Sequence, residues 1–507
     1  MNFGQVTGNV GVRTGRATDD EIFQQATAAW EAGEPEKALP QIERALKTSR
    51  DYRLWHIHGL IMRQLERREA AIPSLQRAVE LNPQAANPVF ALAKTLYEAG
   101  LPSLEAHGRA LQLSPGKPEI VFSMAFAFVS EGRVEDAVDG LARIVSRSPL
   151  WLDGHMNLAR LRWMQGEREG FTRSFDEALA AYPQAADLRR EQIVALIHAE
   201  QWDEALKRIK QGRAAMGEQP VFAVNEAVIY AESGQTERAE ELLDQLRDMQ
   251  DGTVQVRRLR HFLRSGRPEQ AGEILDAWLG RPEAYMFWPY ASIVWRMIDR
   301  PRWEWLEGDE GFVGVYDIAD RLPPLDVLAD TLRRLHTLSG HPLDQSLRGG
   351  TQTDGDLFKR IDPVLVQLRE AIRTTVAEHV AKFPPPDPRH PLLGPRRDGI
   401  RFEGAWSVRL RSRGFHANHV HPAGWISSAL YIALPPDLGQ NEAGYLTLGD
   451  PRSSCFDVDV PPFRVVEPKP GRLALFPSYM WHGTKPFGEG ERLTVAFDVA
   501  RSPLAAG

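Results

Sequence analysis

One cysteine, Cys455, in 507 residues excludes an internal disulfide and any thiolate cluster, so a metal bound here takes nitrogen and oxygen ligands. No window approaches the roughly eighteen uninterrupted apolar residues of a membrane helix. The opening stretch "MNFGQVTGNVGVRTGRATDDE" has no apolar core of the signal-peptide kind. Charged blocks are absent too: the net charge of −7 is spread among interspersed residues, which speaks against a nucleic-acid groove or a polybasic membrane patch. These absences predict a globular cytoplasmic protein that binds neither nucleic acid nor membrane. A hydrophobic content of 43% is ample for cores, and the length suits a repeat array plus a further domain.

What is present first is self-similarity. The pattern small/Gly-x-x-x-x-Ala returns as "GEPEKA" at Gly33, "ERREAA" at Glu66, "GLPSLEA" at Gly100, "GRVEDA" at Gly132, "GEREGF" at Gly166, "EQWDEA" at Glu200, "GQTERA" at Gly234 and "GRPEQA" at Gly266, in steps of 32 to 34 residues. A second marker agrees: Pro83, Pro115, Pro149 and Pro183 keep the same spacing. A unit of about 34 residues with a turn glycine and a closing proline resembles the tetratricopeptide repeat (TPR), a helix pair that buries its apolar face only by stacking on its neighbours. The reading is a flexible N-terminus over 1–17 and an all-α solenoid of about eight repeats over 18–280, with a groove for a peptide or protein segment. The aromatic run from Ala284 to Trp305, with Trp288, Trp295, Trp303 and Trp305, reads as capping or junction helices over 281–311 rather than a binding cage.

The period changes after about Phe312. "FVGVYDIA" reads as a strand, and "PLDVLADTLRRLHTL" and "PVLVQLREAIRTTVAEHVAKF" as helices. Between these helices, "HPLDQSLRGGTQTDGDLF" reads as a long polar loop of the kind that closes over a substrate. Beyond Ile400 come "FEGAWSVRLR", "ISSALYIALP", "GYLTLGD", "RLALFPS" and "RLTVAFDVA". They predict an antiparallel barrel or jelly roll, so the fold class is α + β multidomain.

The segment "FHANHVHPAGW" places three of the chain's fourteen histidines within six residues. On an extended backbone His419 and His421 point to one face and Val420 to the other. His482 follows "ALFPSYMW", and Arg492 opens "RLTVAFDV". A guanidinium beside a metal site suits bidentate pairing with a carboxylate. His416, three residues from His419, has helical rather than strand spacing and is left out.

Together, "HVHPAGWISSALYIALP", "GYLTLGDPR" and "PKPGRLALFPSYMWHGTKPFGEGERLTVAFDV" resemble 2-oxoglutarate/Fe(II) oxygenases found fused to tetratricopeptide repeats, and more broadly the prolyl-hydroxylase-like double-stranded β-helix enzymes. The resemblance runs from about Pro342 to Val499 and implies an oxygenase domain over 312–507. Carried over, it makes His419 and His482 iron ligands, Arg492 the anchor for the far carboxylate of 2-oxoglutarate, and Thr494 that carboxylate's hydroxyl support. Tyr431 is a further co-substrate candidate. Arg348, Thr351 and Gln352 of "RGGTQT" are candidates for the lid.

Where the general pattern of such enzymes has a carboxylate, this chain has His421, which departs from the two-histidine, one-carboxylate triad. Three imidazoles are the preferred set. The alternatives are a distant carboxylate, best placed at Asp450, or two histidines and water. Trp406 and Trp481 read as core, Arg409 as solvated, and Asp498 as the end of the last strand. The implied activity uses Fe(II), 2-oxoglutarate and O2, releases succinate and CO2, and hydroxylates a side chain of a recruited peptide or protein. A small-molecule hydroxylase, a non-enzymatic adaptor and a zinc hydrolase are the other classes. The sequence carries no mark of an oligomeric state.

Overall fold

The computed structural model describes residues 17–501 apart from 339, 344, 398, 453–457 and 459. Cys455 and almost all of the expected flexible N-terminus lie outside the described residues. The architecture is TPR helices followed by an antiparallel β-domain. No helix among the described residues is long and apolar enough to cross a membrane.

The eight repeat markers share one backbone state. Gly33, Gly100, Gly132, Gly166, Gly234 and Gly266 have φ between 66° and 92°, and the two glutamates follow suit, Glu66 at 61° and Glu200 at 57°. Each stands two residues beyond a helix end, as Gly132 does after Pro118–Ser130 and Glu200 after Ala186–His198. A Cβ on Gly33, Gly132, Gly166, Gly234 or Gly266 would meet no atom within 4 Å. A left-handed residue closing the helix, rather than crowding, therefore selects glycine here. Five residues on, Ala71, Ala137, Ala205, Ala239 and Ala271 are fully buried, where a larger side chain would push the helices apart.

The chain forms two compact units, one through Ile120 and one from Val121. The first opens on helix Asp19–Glu31, where Thr18 and Glu21 cap each other reciprocally, and Ile22, Ile42, Leu54 and Ile61 fill its first core.

In the second unit, one apolar core runs from Leu259, Leu263 and Leu275 through Trp288, Trp295 and Trp303 into Leu430, Leu475 and Phe497 of the β-domain. The aromatic segment forms helices Trp288–Ile298 and Arg300–Glu307. Trp481 is buried core, its Nε1 donating to the Pro289 carbonyl at 2.9 Å.

Among the described residues, nine strands make the β-domain: β1 (Gly314–Asp317), β2 (Leu347–Gln352), β3 (Phe402–His416), β4 (Ile426–Ala433), β5 (Leu446–Leu448), β6 (Arg464–Val466), β7 (Arg472–Pro477), β8 (His482–Thr484) and β9 (Arg492–Val499). They form an antiparallel sheet in the order β1-β7-β4-β9-β3-β2 and a smaller one in the order β6-β5-β8. Leu493, Val495, Phe497 and Val499 of β9 enter the large core, which by alternation turns Arg492, Thr494, Ala496 and Asp498 to the other face.

Two readings of the sequence are corrected. The expected polar lid loop contains β2, paired with β3, and the register shifts between Arg348, opposite Phe415, and Gly350, opposite Leu410, so that the extra residues bulge from β3. Gly349 has φ 75°, and a Cβ on Gly350 would lie 2.4 Å from the Arg409 carbonyl oxygen, so close approach of two strands demands them. Arg409 is not merely solvated but pairs with Glu491.

The residues leading into β2 lie against the repeats. Thr337 Oγ1 donates to the Val129 carbonyl at 3.0 Å, and the His341 ring stands edge-on to Trp163 at 6.2 Å. Leu343 is buried with Phe171, Ile193 and Leu196. The chain's own residues thus cover part of the repeat surface.

Candidate metal centre

His419 and His482 come together through the backbone. His419 N donates to the His482 carbonyl at 2.9 Å, and His482 N returns the bond at 3.0 Å, an isolated antiparallel bridge just ahead of β8 pairing. His421 is held by its own N–H on the Ser478 carbonyl at 2.9 Å. The ring centroids lie 4.2 Å (His419 to His482), 5.0 Å (His419 to His421) and 5.1 Å (His421 to His482) apart. One ligand nitrogen from each falls within 4.8 Å of the others, the one such cluster among the described residues.

Hydrogen bonds settle which nitrogen is free. Nδ1 of His419 lies 2.8 Å from the Ala417 carbonyl and Nδ1 of His482 lies 2.9 Å from that of Met480. A carbonyl only accepts, so both Nδ1 atoms carry the proton. His421 Nδ1 lies 2.9 Å from Asp498 Oδ1. Each ring therefore keeps Nε2 as its available lone pair, the tautomer a metal ligand needs.

Burial, together with the nearby His421, pushes His419 down to about 3. His482 lies well below the usual histidine range for the same first reason, with His419 and His421 adding to it. Both are neutral at physiological pH. For His421, burial opposes the charged form, but the Asp498 charge and hydrogen bond outweigh it and raise the pKa. The three rings fit a first-row divalent ion, for which imidazole nitrogen is a suitable ligand.

The same face of β9 supplies a cation. Arg492 is 2% exposed; its Nη1 donates to the Gly444 carbonyl at 2.7 Å, and the guanidinium lies 5.0 Å over the Tyr431 ring. Among the described residues Arg492 Nε and Tyr431 Oη have no hydrogen-bond partner. Arg492 lines the pocket of the histidines, where a buried, unsatisfied guanidinium donor suits a carboxylate; Tyr431, stacked beneath it, does not join that lining.

Arg492, Thr494, Gln352 and Trp406 line one pocket with the three histidines. Arg348 and Thr351 do not join its lining. Arg348 donates to the Gln345 carbonyl and lies 3.9 Å from Glu200, while Thr351 meets His336 at 2.8 Å. Asp450 is bound by Arg452 at 2.9 Å. His416 stacks on His419 with centroids 6.0 Å apart and shares Ser346 Oγ with it, at 3.2 Å from each.

Sequence reasoning missed Asp498, Ser427 and Ser346. Asp498 does more than end a strand: it faces His421 and accepts from Ser427 Oγ at 2.6 Å. Its place on the Arg492–Thr494–Ala496 face was the available signal.

Residues 404–498, from β3 to β9, match the family described as "Putative 2OG-Fe(II) oxygenase", and residues 23–86 and 196–261 match two tetratricopeptide-repeat families. All three histidines, Arg492 and Asp498 lie inside the first match. No curated protein matches the chain. Similar solved structures include a tetratricopeptide repeat protein from Parabacteroides merdae, 15% identical, covering 47% of this chain and 96% of its own, with TM-score 0.31. Another is YrrB, described as a TPR protein with an unusual peptide-binding site, at 19% identity, 33% and 88% coverage and TM-score 0.29. A Pseudomonas putida prolyl-4-hydroxylase is 18% identical, covering 38% of this chain and 94% of its own, with TM-score 0.25.

Proposed function

We propose that the chain is a non-haem Fe(II)- and 2-oxoglutarate-dependent dioxygenase that hydroxylates a side chain of a peptide or protein recruited by its repeats, releasing succinate and CO2. The domain assignment goes with it: a TPR solenoid over 18–280, junction helices over 281–311 and the oxygenase domain over 312–507. The observation that carries the reading is the cluster of three histidines, one ligand nitrogen from each within 4.8 Å of the others, in one pocket with a buried, half-satisfied arginine.

In this reading His419, His421 and His482 hold Fe(II), and Arg492 with Thr494 receives the far carboxylate of 2-oxoglutarate, Tyr431 adding a hydroxyl. Bound iron supplies oxygen activation coupled to decarboxylation of the keto acid. The protein's part is to hold three imidazole donors, to pair the far carboxylate of the co-substrate with one buried cation, and to keep the pocket walls dry through Phe476, Leu446 and Trp406. Gln352, which lines the same pocket, is the lid candidate left to meet a substrate.

The small-molecule alternative draws support from one observation. Thr337, His341 and Leu343 already cover the repeat surface around Val129, Trp163 and Leu196, so a recruited peptide depends on the repeats left open. The deciding experiment is an anaerobic titration of metal-free protein with Fe(II) and then 2-oxoglutarate. A visible metal-to-keto-acid charge-transfer band, followed by succinate on admitting air, supports the dioxygenase. Tight zinc binding with no such band would move the protein to another class.

A further inference from the structure

Three imidazoles carry no charge, so the ligand set lacks the negative group that a two-histidine, one-carboxylate site places on its metal. A carboxylate is nevertheless present one ring further out. Asp498 Oδ1 and Oδ2 lie 2.9 and 2.8 Å from His421 Nδ1. The pair is largely shielded, with side-chain exposures of 25% for His421 and 15% for Asp498. Ser427 Oγ donates to Asp498 at 2.6 Å and lies 3.0 Å from Ser478 Oγ. β4–β9 pairing sets Ser427 opposite Asp498, while the His421 N–H on the Ser478 carbonyl fixes the distance from the other side. The other two histidines donate Nδ1 to backbone carbonyls. Only His421, the residue at the carboxylate's customary place, is backed by a charge.

We propose that Asp498 is the displaced carboxylate of this metal centre: a positioning residue that holds His421 with Nδ1 protonated and Nε2 toward the metal, and lends that ring its negative charge. The inference rests on the three-histidine reading and deepens it. A carboxylate behind an imidazole orients the ring and raises its basicity, and its removal typically weakens metal binding by about 10- to 100-fold. Asp498→Asn keeps shape and volume while removing the charge.

The test is an anaerobic Co(II) titration of the full chain, read from the visible ligand-field spectrum, with Asp498→Asn and His421→Ala in parallel. Unfolding of the metal-free proteins serves as the structural control. Asp498→Asn is expected to weaken Co(II) binding about 10- to 100-fold and to alter the spectrum. If His421→Ala weakens binding while Asp498→Asn matches the parent in affinity and spectrum, Asp498 only ties β4 to β9 and the inference falls. If neither change affects Co(II), the three-histidine reading itself fails. Should Asp498→Asn not fold, nitrogen-detected NMR of the Zn(II)-loaded parent decides. A His421 Nδ1–H shifted further downfield than those of His419 and His482 supports the proposal; a ring coordinated through Nδ1 overturns it.

Discussion

His419 and His482 exchange backbone hydrogen bonds at 2.9 and 3.0 Å across an isolated bridge, which sets their rings 4.2 Å apart at the centroids. The spacing of two ligands far apart in sequence is thus fixed by main chain. Gly483 makes the approach possible, since a Cβ there would lie 2.0 Å from Asn418 Oδ1 and 2.9 Å from the His416 carbonyl oxygen. Gly483→Ala, which touches no ligand, is therefore expected to weaken Co(II) binding by about tenfold or more. His482→Ala should abolish it at micromolar metal. Unchanged affinity in Gly483→Ala would mean that the bridge does not set the ligand geometry.

Among the described residues lining the pocket, Arg492 is the only permanent cation, and its Nε is unsatisfied. Removing two charge-assisted hydrogen bonds, each worth about 1.5–3 kcal/mol, predicts that Arg492→Ala weakens 2-oxoglutarate binding by roughly two to four orders of magnitude. Arg492→Lys keeps the charge but loses the fork and should recover only part of the affinity. Tyr431→Phe removes one neutral donor and should cost up to about tenfold. Calorimetric titration of anaerobic, metal-loaded protein measures all three, and equal affinities in the parent and Arg492→Ala would remove Arg492 from the co-substrate site.

What could be read in advance depended on how local the cause was. A left-handed helix end writes a glycine into the sequence each time it recurs, so Gly33 through Gly266 showed the repeats. His419 and His421 are two residues apart, so alternation alone put them on one face. Asp498 meets His421 across 77 residues, and no local spacing encodes that; it emerges only from β4–β9 register. β2 looked like a loop because Gly349 and Gly350, which break a strand pattern, are there for contact with β3. Leu338 and Leu343 are too few as apolar anchors to signal that they pack on the repeats.

Glu200 departs from the glycine rule at φ 57°, in a conformation that costs a residue with a Cβ about 1–2 kcal/mol. Its side chain is 67% exposed and 3.9 Å from Arg348, an ion pair of little worth. Glu200→Gly is expected to stabilise the protein by about 0.5–1 kcal/mol after the added freedom of the unfolded glycine is subtracted. The measurement is the denaturant midpoint. A fall in stability would show that the Arg348 contact outweighs the backbone conformation.

His390 makes acid stability specific. Its Nδ1 accepts from the backbone N–H groups of Leu392 and Leu393 at 3.0 and 3.2 Å, and its Nε2 donates to the carbonyls of Trp305 and Leu306, both at 3.1 Å. Protonating Nδ1 would turn two accepted bonds into repulsions. Burial, the leading cause, accordingly pushes His390 down to about 4, against about 6.5 in an unfolded chain. Between these values the unfolded state binds the extra proton, so stability rises with pH there. The contribution is complete above about pH 6.5 and is lost progressively as the pH falls toward 4. His336 and His379, also pushed down to about 4 by burial, add to the same slope. Thermal unfolding of metal-free protein should therefore show a midpoint that drops across this window. His390→Gln should start lower at pH 7.5 and fall less on acidification. A variant curve parallel to the parent's would mean that His390 titrates alike in both states.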